Sequence, residues 1–289
     1  MSKDWKQSFF GYTAKIIKFF ISFIKMLIDA HTHLNESRLF EKREEYVKLF
    51  EEQDGKILIN SWANPFYNEK GIEIAKESEK KFPHLTVKST VGFHPCDIPE
   101  DIEQQIQEIE NLYLQNKEHV IAIGECGIDL HFPDSPSLSL QQKGFKAQAE
   151  LARKYQLPLV IHSRDAFDET FEILQEFKDL KIYIHSWAYD KESLKKVENL
   201  IPQLRIGINN MITYPSAKIA REAILSLSSA KLLMETDAPY LPPQTKRGEI
   251  NLPSYVSYVY EKYAERTGIS KEELEEKILN NVKELFSLQ

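Results

Sequence analysis

Eight short runs rich in β-branched residues, alternating with charged stretches of helical periodicity, constrain this chain more than any other feature. The runs are Met26–Ala30, Lys56–Asn60, Thr86–Gly92, Val120–Gly124, Leu157–Ile161, Lys181–Ile184, Arg205–Ile208 and Lys231–Met234. Between them lie amphipathic segments such as Glu41–Gln53, Glu69–Lys81, Asp101–Gln115, Leu140–Tyr155 and Lys191–Leu200. Strands of a parallel sheet are covered on both faces, so they read as near-continuous apolar runs rather than alternating ones. The charges between them are the solvated faces of outer helices. Eight repeats in 289 residues fit an α/β chain closed into a (β/α)8 barrel of the TIM type better than an open doubly wound sheet. No Gly-rich phosphate fingerprint follows the first run, which argues further against a nucleotide-binding sheet. Ser270-Lys271-Glu272-Glu273 has the form of a capping box and opens a last helix to Phe286. No linker or low-complexity segment interrupts residues 26–289, which are read as one domain.

The residues that end these runs carry the chemistry. His31 and His33 close the first run, His94 follows the third, and Glu125 follows the fourth. His162 follows the fifth, His185 the sixth and Asp237 the eighth. Five of the eight histidines thus fall at strand exits. In a barrel all strand ends open on one face, so groups far apart in sequence converge there. His31 and His33 are two apart on a strand and aim two imidazoles at one point. Neutral imidazoles and carboxylates suit zinc, manganese or similar ions, and no thiolate cluster is present for a structural zinc site. A carboxylate such as Glu125 can bridge two ions, which would lower the pKa of a shared water and clamp attacking and leaving oxygens. Asp237 is placed to ligate one ion and to take a proton.

Other candidates stay open at this level. His94, before Pro95, is either a rigid strand exit or a substrate contact. Arg164, two residues after His162, either holds a phosphate or carboxylate or pairs with Asp165 or Asp168. Trp62 and Trp187 follow the second and sixth runs and either stack on a substrate at the mouth or pack. Cys126 reads as a small buried filler. His84, His119 and His131 lie away from the exits and read as surface residues.

The charge is unevenly placed. Residues 1–25 hold five lysines against one aspartate, so of a net charge of −7 the remainder carries −11. A body this acidic is a poor non-specific nucleic-acid binder, and any nucleic acid must be attracted locally by metal and arginine. Two cysteines make no disulfide framework and suit a reducing cytosol. Lys15, Lys18, Ser22 and Lys25 share one helical face and Ile16, Ile17, Phe19, Phe20, Phe23 and Ile24 the other. This is an interfacial amphipathic helix or an extension upstream of Met26 that takes no part in the fold, not a membrane span or a secretory signal.

Taken together, the chain resembles the TatD family of metal-dependent hydrolases, often described as TatD-type deoxyribonucleases, within the amidohydrolase-like barrels. The resemblance rests on Ile28-Asp29-Ala30-His31-Thr32-His33-Leu34, Gly92-Phe93-His94-Pro95 and Gly124-Glu125-Cys126-Gly127-Ile128-Asp129. It continues through His162-Ser163-Arg164, His185 and Glu235-Thr236-Asp237-Ala238-Pro239-Tyr240-Leu241, then Pro242, Arg247-Gly248, Asn251, Pro253, Asn281 and Leu285-Phe286. It spans residues 26–289. It implies two divalent metal ions (Zn, Mg or Mn): His31 and His33 on one, His162 and His185 on the other, Glu125 bridging, and Asp237 binding metal and acting on water. It also implies DNase activity, in some members 3′-to-5′ exonuclease action. One departure stands out. Where the family usually has Cys-Phe-Ser-Gly after the strand-six histidine, this chain has Ser186-Trp187-Ala188-Tyr189, which loses a glycine and alters the substrate pocket.

The expectation is therefore a cytoplasmic hydrolase of phosphodiester bonds in single-stranded or frayed DNA, with Asp237, Glu125 and His94 catalytic and Arg164, His94 and Trp187 on the substrate. A small-molecule amidohydrolase, lactonase or phosphoesterase is the alternative. A non-catalytic partner or membrane-surface protein using residues 10–25 is a third reading, which the intact ligand set opposes.

Overall fold

The computed structural model describes residues 26–61, 64 and 66–288. Eight parallel strands follow one another around a single sheet in chain order. They are β1 (Leu27–Thr32), β2 (Gly55–Asn60), β3 (Thr86–Val91), β4 (Val120–Asp129), β5 (Leu159–Arg164), β6 (Ile182–Ile184), β7 (Leu204–Ile208) and β8 (Leu232–Met234). β1 and β4 are buried along their whole length, as expected for strands with helices outside and a packed barrel within. The ring closes beyond β8: Thr32 bridges Ala238, Asp237 N–H donates to His31 O at 2.8 Å, and His33 N–H donates to Ala238 O at 2.8 Å. Closure thus brings the last strand's carboxylate beside the first strand's histidines.

The outer helices follow from their apolar spacing. In Asn68–Lys81, Gly71, Ile74, Ala75 and Ser78 are buried at helical intervals, with Glu69 in the first turn and Lys80 and Lys81 in the last, matching the helix dipole. The closing helix Lys271–Phe286 starts where its capping box places it, with Ser270 Oγ accepting from Glu273 N–H. Its buried face is Leu274, Ile278, Val282 and Leu285, and Asn281 donates to Ser229 O and Leu232 O at 2.8 Å, fastening the helix to β8. The helices Arg43–Glu52, Ile102–Gln115, Leu138–Tyr155, Phe167–Leu174, Lys191–Leu200, Lys218–Ile224 and Val256–Thr267 complete the ring; Phe167–Leu174 and Lys218–Ile224 are too short to stand out by periodicity.

Two strands run further than their apolar runs. β4 continues past Gly124 to Asp129, and β5 continues past Ile161 to Arg164. The register between them shifts between Ile123 and Cys126 and then resumes, pairing Gly127 with His162 and Asp129 with Arg164. Neither cysteine is in a disulfide. No helix among the described residues is long and apolar enough to cross a membrane. The amphipathic stretch of residues 1–25 and Trp62 lie outside the described residues.

Candidate metal centre

Six of the eight strands deliver a side chain to one mouth. His31 sits inside β1 and His33 just beyond it; Glu125 and His162 lie inside β4 and β5; His94, His185 and Asp237 follow β3, β6 and β8. The β4–β5 crossing depends on glycine. Gly127 has φ +140°, and a Cβ there would stand 1.9 Å from the carbonyl oxygen of His162. A side chain at that position would push β5, and His162 with it, out of place.

Glu125 stands at the centre. Its Oε2 is 3.2 Å from His31 Nε2, while its Oε1 is 2.8 Å from His185 Nε2 and 2.9 Å from His162 Nδ1. His94 Nε2 lies 3.6 Å from the same Oε1. On the Oε2 side, Asp237 Oδ1 is 2.8 Å from His33 Nε2 and 3.8 Å from His31 Nε2. The rings of His31 and His185 stack at 4.0 Å with 8° between planes. One carboxylate therefore turns one oxygen to each of two histidine sets.

The donors fit divalent metal. Ligand atoms of His31, His33 and Asp237 lie within 4.8 Å of one another, as do those of His31, Glu125 and His185. Two ligands on one zinc would stand about 3.4 Å apart given bond lengths of about 2.0–2.2 Å. The His31 ring is wholly buried, yet neither of its nitrogens makes a hydrogen bond. An unpartnered buried polar atom costs about 1–3 kcal/mol, and a metal bond at Nε2 would supply the partner.

The electrostatics follow from burial and proximity. Burial raises the Glu125 carboxyl, but the imidazoles of His185 and His31 and the hydrogen bond from His162 outweigh it and hold the group well below its ordinary range. For Asp237, burial is outweighed by His33. Burial lowers His185 and His162, yet carboxylates raise both: Glu125 with Glu235 for the first, Asp129 with Glu125 for the second. His31 is lowered by burial and by His185. Burial, with His162 adding to it, brings His94 down to about 3.

Several supporting residues were not singled out in the sequence. Asp129 Oδ2 is 2.9 Å from His162 Nε2. Glu235 accepts from Ser186 N–H at 2.8 Å and from the Tyr183 hydroxyl, and lies 3.7 Å from His185 Nδ1. Asp29 accepts from Thr236 N–H at 2.8 Å and Thr236 Oγ1 at 2.6 Å, tying β1 to the residues that carry Asp237. All three lie inside stretches already noted, one or two strand periods from a histidine or carboxylate at the site, which is the signal that could have found them.

The remaining candidates separate. Arg164 lines the cleft with its guanidinium 5.0 Å over the Phe132 ring, and among the described residues it pairs with neither Asp165 nor Asp168. Across the mouth Arg38 lies 4.5 Å over Tyr240. Trp187 is not at the mouth: it is 1% exposed, its indole N–H donates to Tyr189 O, and its ring packs edge-on against Phe167. The turn after β6 reverses at Ser186 (φ +49°) and sends the indole inward. Tyr189, at the position of the lost glycine, bonds Ser163 Oγ at 2.8 Å and accepts from Ala166 N–H. Cys126 is buried filler, His119 and His131 pair with Glu79 and Asp165, and His84 is exposed. The cleft has a volume of about 710 Å³.

Known proteins resemble this chain in sequence and in fold. A family model described as TatD related DNase matches residues 28–287. An uncharacterized metal-dependent hydrolase of Mycoplasma genitalium is 33% identical over 89% of this chain and 98% of its own length. A second, from Bacillus subtilis, is 30% identical over 91% of this chain and all of its own. Among solved structures, the TatD homologue YjjV of Escherichia coli superposes with a TM-score of 0.82 at 24% identity, covering 91% of this chain and 98% of that one. The Escherichia coli phosphotriesterase homology protein, with phosphate in its active site, superposes at 0.66 and 14% identity, covering 91% and 99%.

Proposed function

This chain belongs to the TatD-related DNase family of metal-dependent hydrolases, and from that premise we propose that it cleaves phosphodiester bonds at single-stranded or frayed DNA ends. His31, His33 and Asp237 would hold one divalent ion and His162 and His185 a second, with Glu125 placed to serve both. Bound there, such ions lower the pKa of water and neutralise charge building on phosphoryl oxygens. Four imidazoles among the donors favour zinc or manganese over magnesium.

The chain's own groups do the rest. Asp237 accepts the proton of the attacking water. Arg164 offers a planar fork of donors to a phosphate at the rim. Phe132 and Tyr240 are 50% and 36% exposed, each beneath an arginine, and present faces on which bases stack sequence-independently. The barrel below is filled by side chains, so the cleft is blind and admits a strand end. The observation that carries the reading is the division of Glu125 between two histidine sets. A cytoplasmic location is supported by the two free thiols, which suit a reducing compartment.

A second reading, a small-molecule phosphoesterase, lactonase or amidohydrolase, is favoured by Asp97 and Asp134 in the cleft wall, which repel a polyanion. End-labelled oligonucleotides and a panel of small esters and lactones, each assayed before and after chelation, separate the two. DNA degradation that stops with chelator supports the first; turnover of small esters alone replaces it. Asp237→Asn is expected to lose about 10³-fold in hydrolysis while still binding metal and DNA; full activity would remove Asp237 from the mechanism.

A further inference from the structure

We propose that His94 is a hydrogen-bond donor to the reacting anion and not a metal ligand, its ring proton held on Nε2 by the backbone of Cys96. Distance alone would make it a ligand, because its nitrogen lies within 4.8 Å of ligand atoms of Glu125 and His162. The hydrogen bonds distinguish it from its neighbours.

His94 precedes the 3-10 turn Pro95–Asp97, and its Nδ1 accepts from Cys96 N–H at 3.1 Å. A backbone N–H can only donate, so Nδ1 presents a lone pair and the neutral ring carries its proton on Nε2. Pro95 fixes the start of the turn and so the geometry of this bond. For Nε2 to bind metal, that proton would have to move to Nδ1, where it would confront the N–H of Cys96. His162 is the opposite case. Its Nε2 faces Asp129 Oδ2 and its Nδ1 faces Glu125 Oε1, each at 2.9 Å, so no backbone donor occupies either lone pair, and with Asp129 keeping the proton on Nε2 the Nδ1 proton can give way to an ion. His185 likewise has no backbone donor on its ring: Nε2 faces Glu125 at 2.8 Å, and Glu235 lies 3.7 Å from Nδ1.

The His94 ring is only partly buried and lines the cleft, standing edge-on to His162 with centroids 4.3 Å apart. Its Nε2 is 3.6 Å from Glu125 Oε1, too long for a bond to saturate its proton. The donor is therefore left for an oxygen arriving between the histidines. A preset donor aimed at developing charge is worth about 10²–10³-fold in rate. No proton leaves the ring, since that would create an imidazolate, so the residue stabilises charge without acting as an acid.

The identity of the anion rests on the hydrolase reading, but the proton's position and metal binding do not. The test uses the full chain, ¹⁵N-labelled at histidine and loaded with Zn²⁺. The spectrum is expected to show His94 with a protonated Nε2 and a bare Nδ1. His94→Ala should bind the same number of Zn²⁺ ions as the parent, and its affinity for inorganic phosphate should fall by about tenfold. His94→Gln, which returns an N–H near the Nε2 position, should recover that affinity. Loss of a Zn²⁺ ion in His94→Ala, or a proton found on Nδ1, overturns the proposal. So does unchanged phosphate affinity in His94→Ala. Absence of turnover by the parent on every phosphoester tried would count against the proposed function and leave these three readouts intact.

Discussion

The two sides of Glu125 are built differently. On the β5–β6 side, His162 is backed by a second carboxylate, Asp129 at 2.9 Å, and Glu235 stands behind His185 at 3.7 Å, beyond hydrogen-bond distance. On the β1–β8 side, both ring nitrogens of His31 lack a hydrogen bond. That side is positioned by backbone instead, through the closure of the barrel at His31–Asp237 and His33–Ala238 and through Asp29 on Thr236. Side chains that support a metal-binding histidine fix its tautomer and orientation before the ion arrives. The β5–β6 side is thus preset, whereas the β1–β8 side has its chain in place but leaves a buried ring for the ion to satisfy. This difference predicts that the β5–β6 side holds metal more tightly and that chelation loosens the β1–β8 side first.

The largest expected effect removes what the two sides share. Glu125→Gln leaves one neutral carbonyl where two charged oxygens stood, and should cost about 10³-fold or more in turnover with loss of metal from both sides by elemental analysis. Loss from one side alone would break the symmetry of the bridge. Asp129→Asn touches only the preset side: metal affinity and activity should fall about 10–100-fold, with one ion lost before the other in a chelator titration. Equal weakening of both ions would mean that the two sides are not independent. Arg164→Ala should raise KM for a phosphodiester by about tenfold with little change in kcat, read from initial rates, because it removes a charge-assisted contact at the rim. The smallest effect on chemistry belongs to Trp187→Ala. Losing a buried indole should lower stability by about 3–5 kcal/mol in denaturant unfolding and leave kcat/KM unchanged in the remaining folded protein. A large KM change there would return Trp187 to the substrate.

How much of this could be read in advance differs from residue to residue. The barrel and the strand exits were legible because buried parallel strands leave plain apolar runs and because His31, Glu125, His162, His185 and Asp237 each fall directly at or after one. Asp129 was harder. The run Val120–Gly124 stops where apolar character stops, but β4 continues for another five residues through a register shift that spacing does not reveal. Glu235 lay two residues from Asp237, yet its role depends on Tyr183 and Ser186 from another strand. Trp187 was expected at the mouth because it follows β6, and the reversal at Ser186 hides it. The tautomer of His94 rests on one backbone N–H two residues away, a contact that only folded geometry specifies.

Anomalous diffraction from crystals soaked in Zn²⁺ tests the central claim most directly. The account predicts one peak on each side of Glu125, the first among His31, His33 and Asp237 and the second between His162 and His185. A single peak, or peaks held only by surface carboxylates away from Glu125, would contradict it.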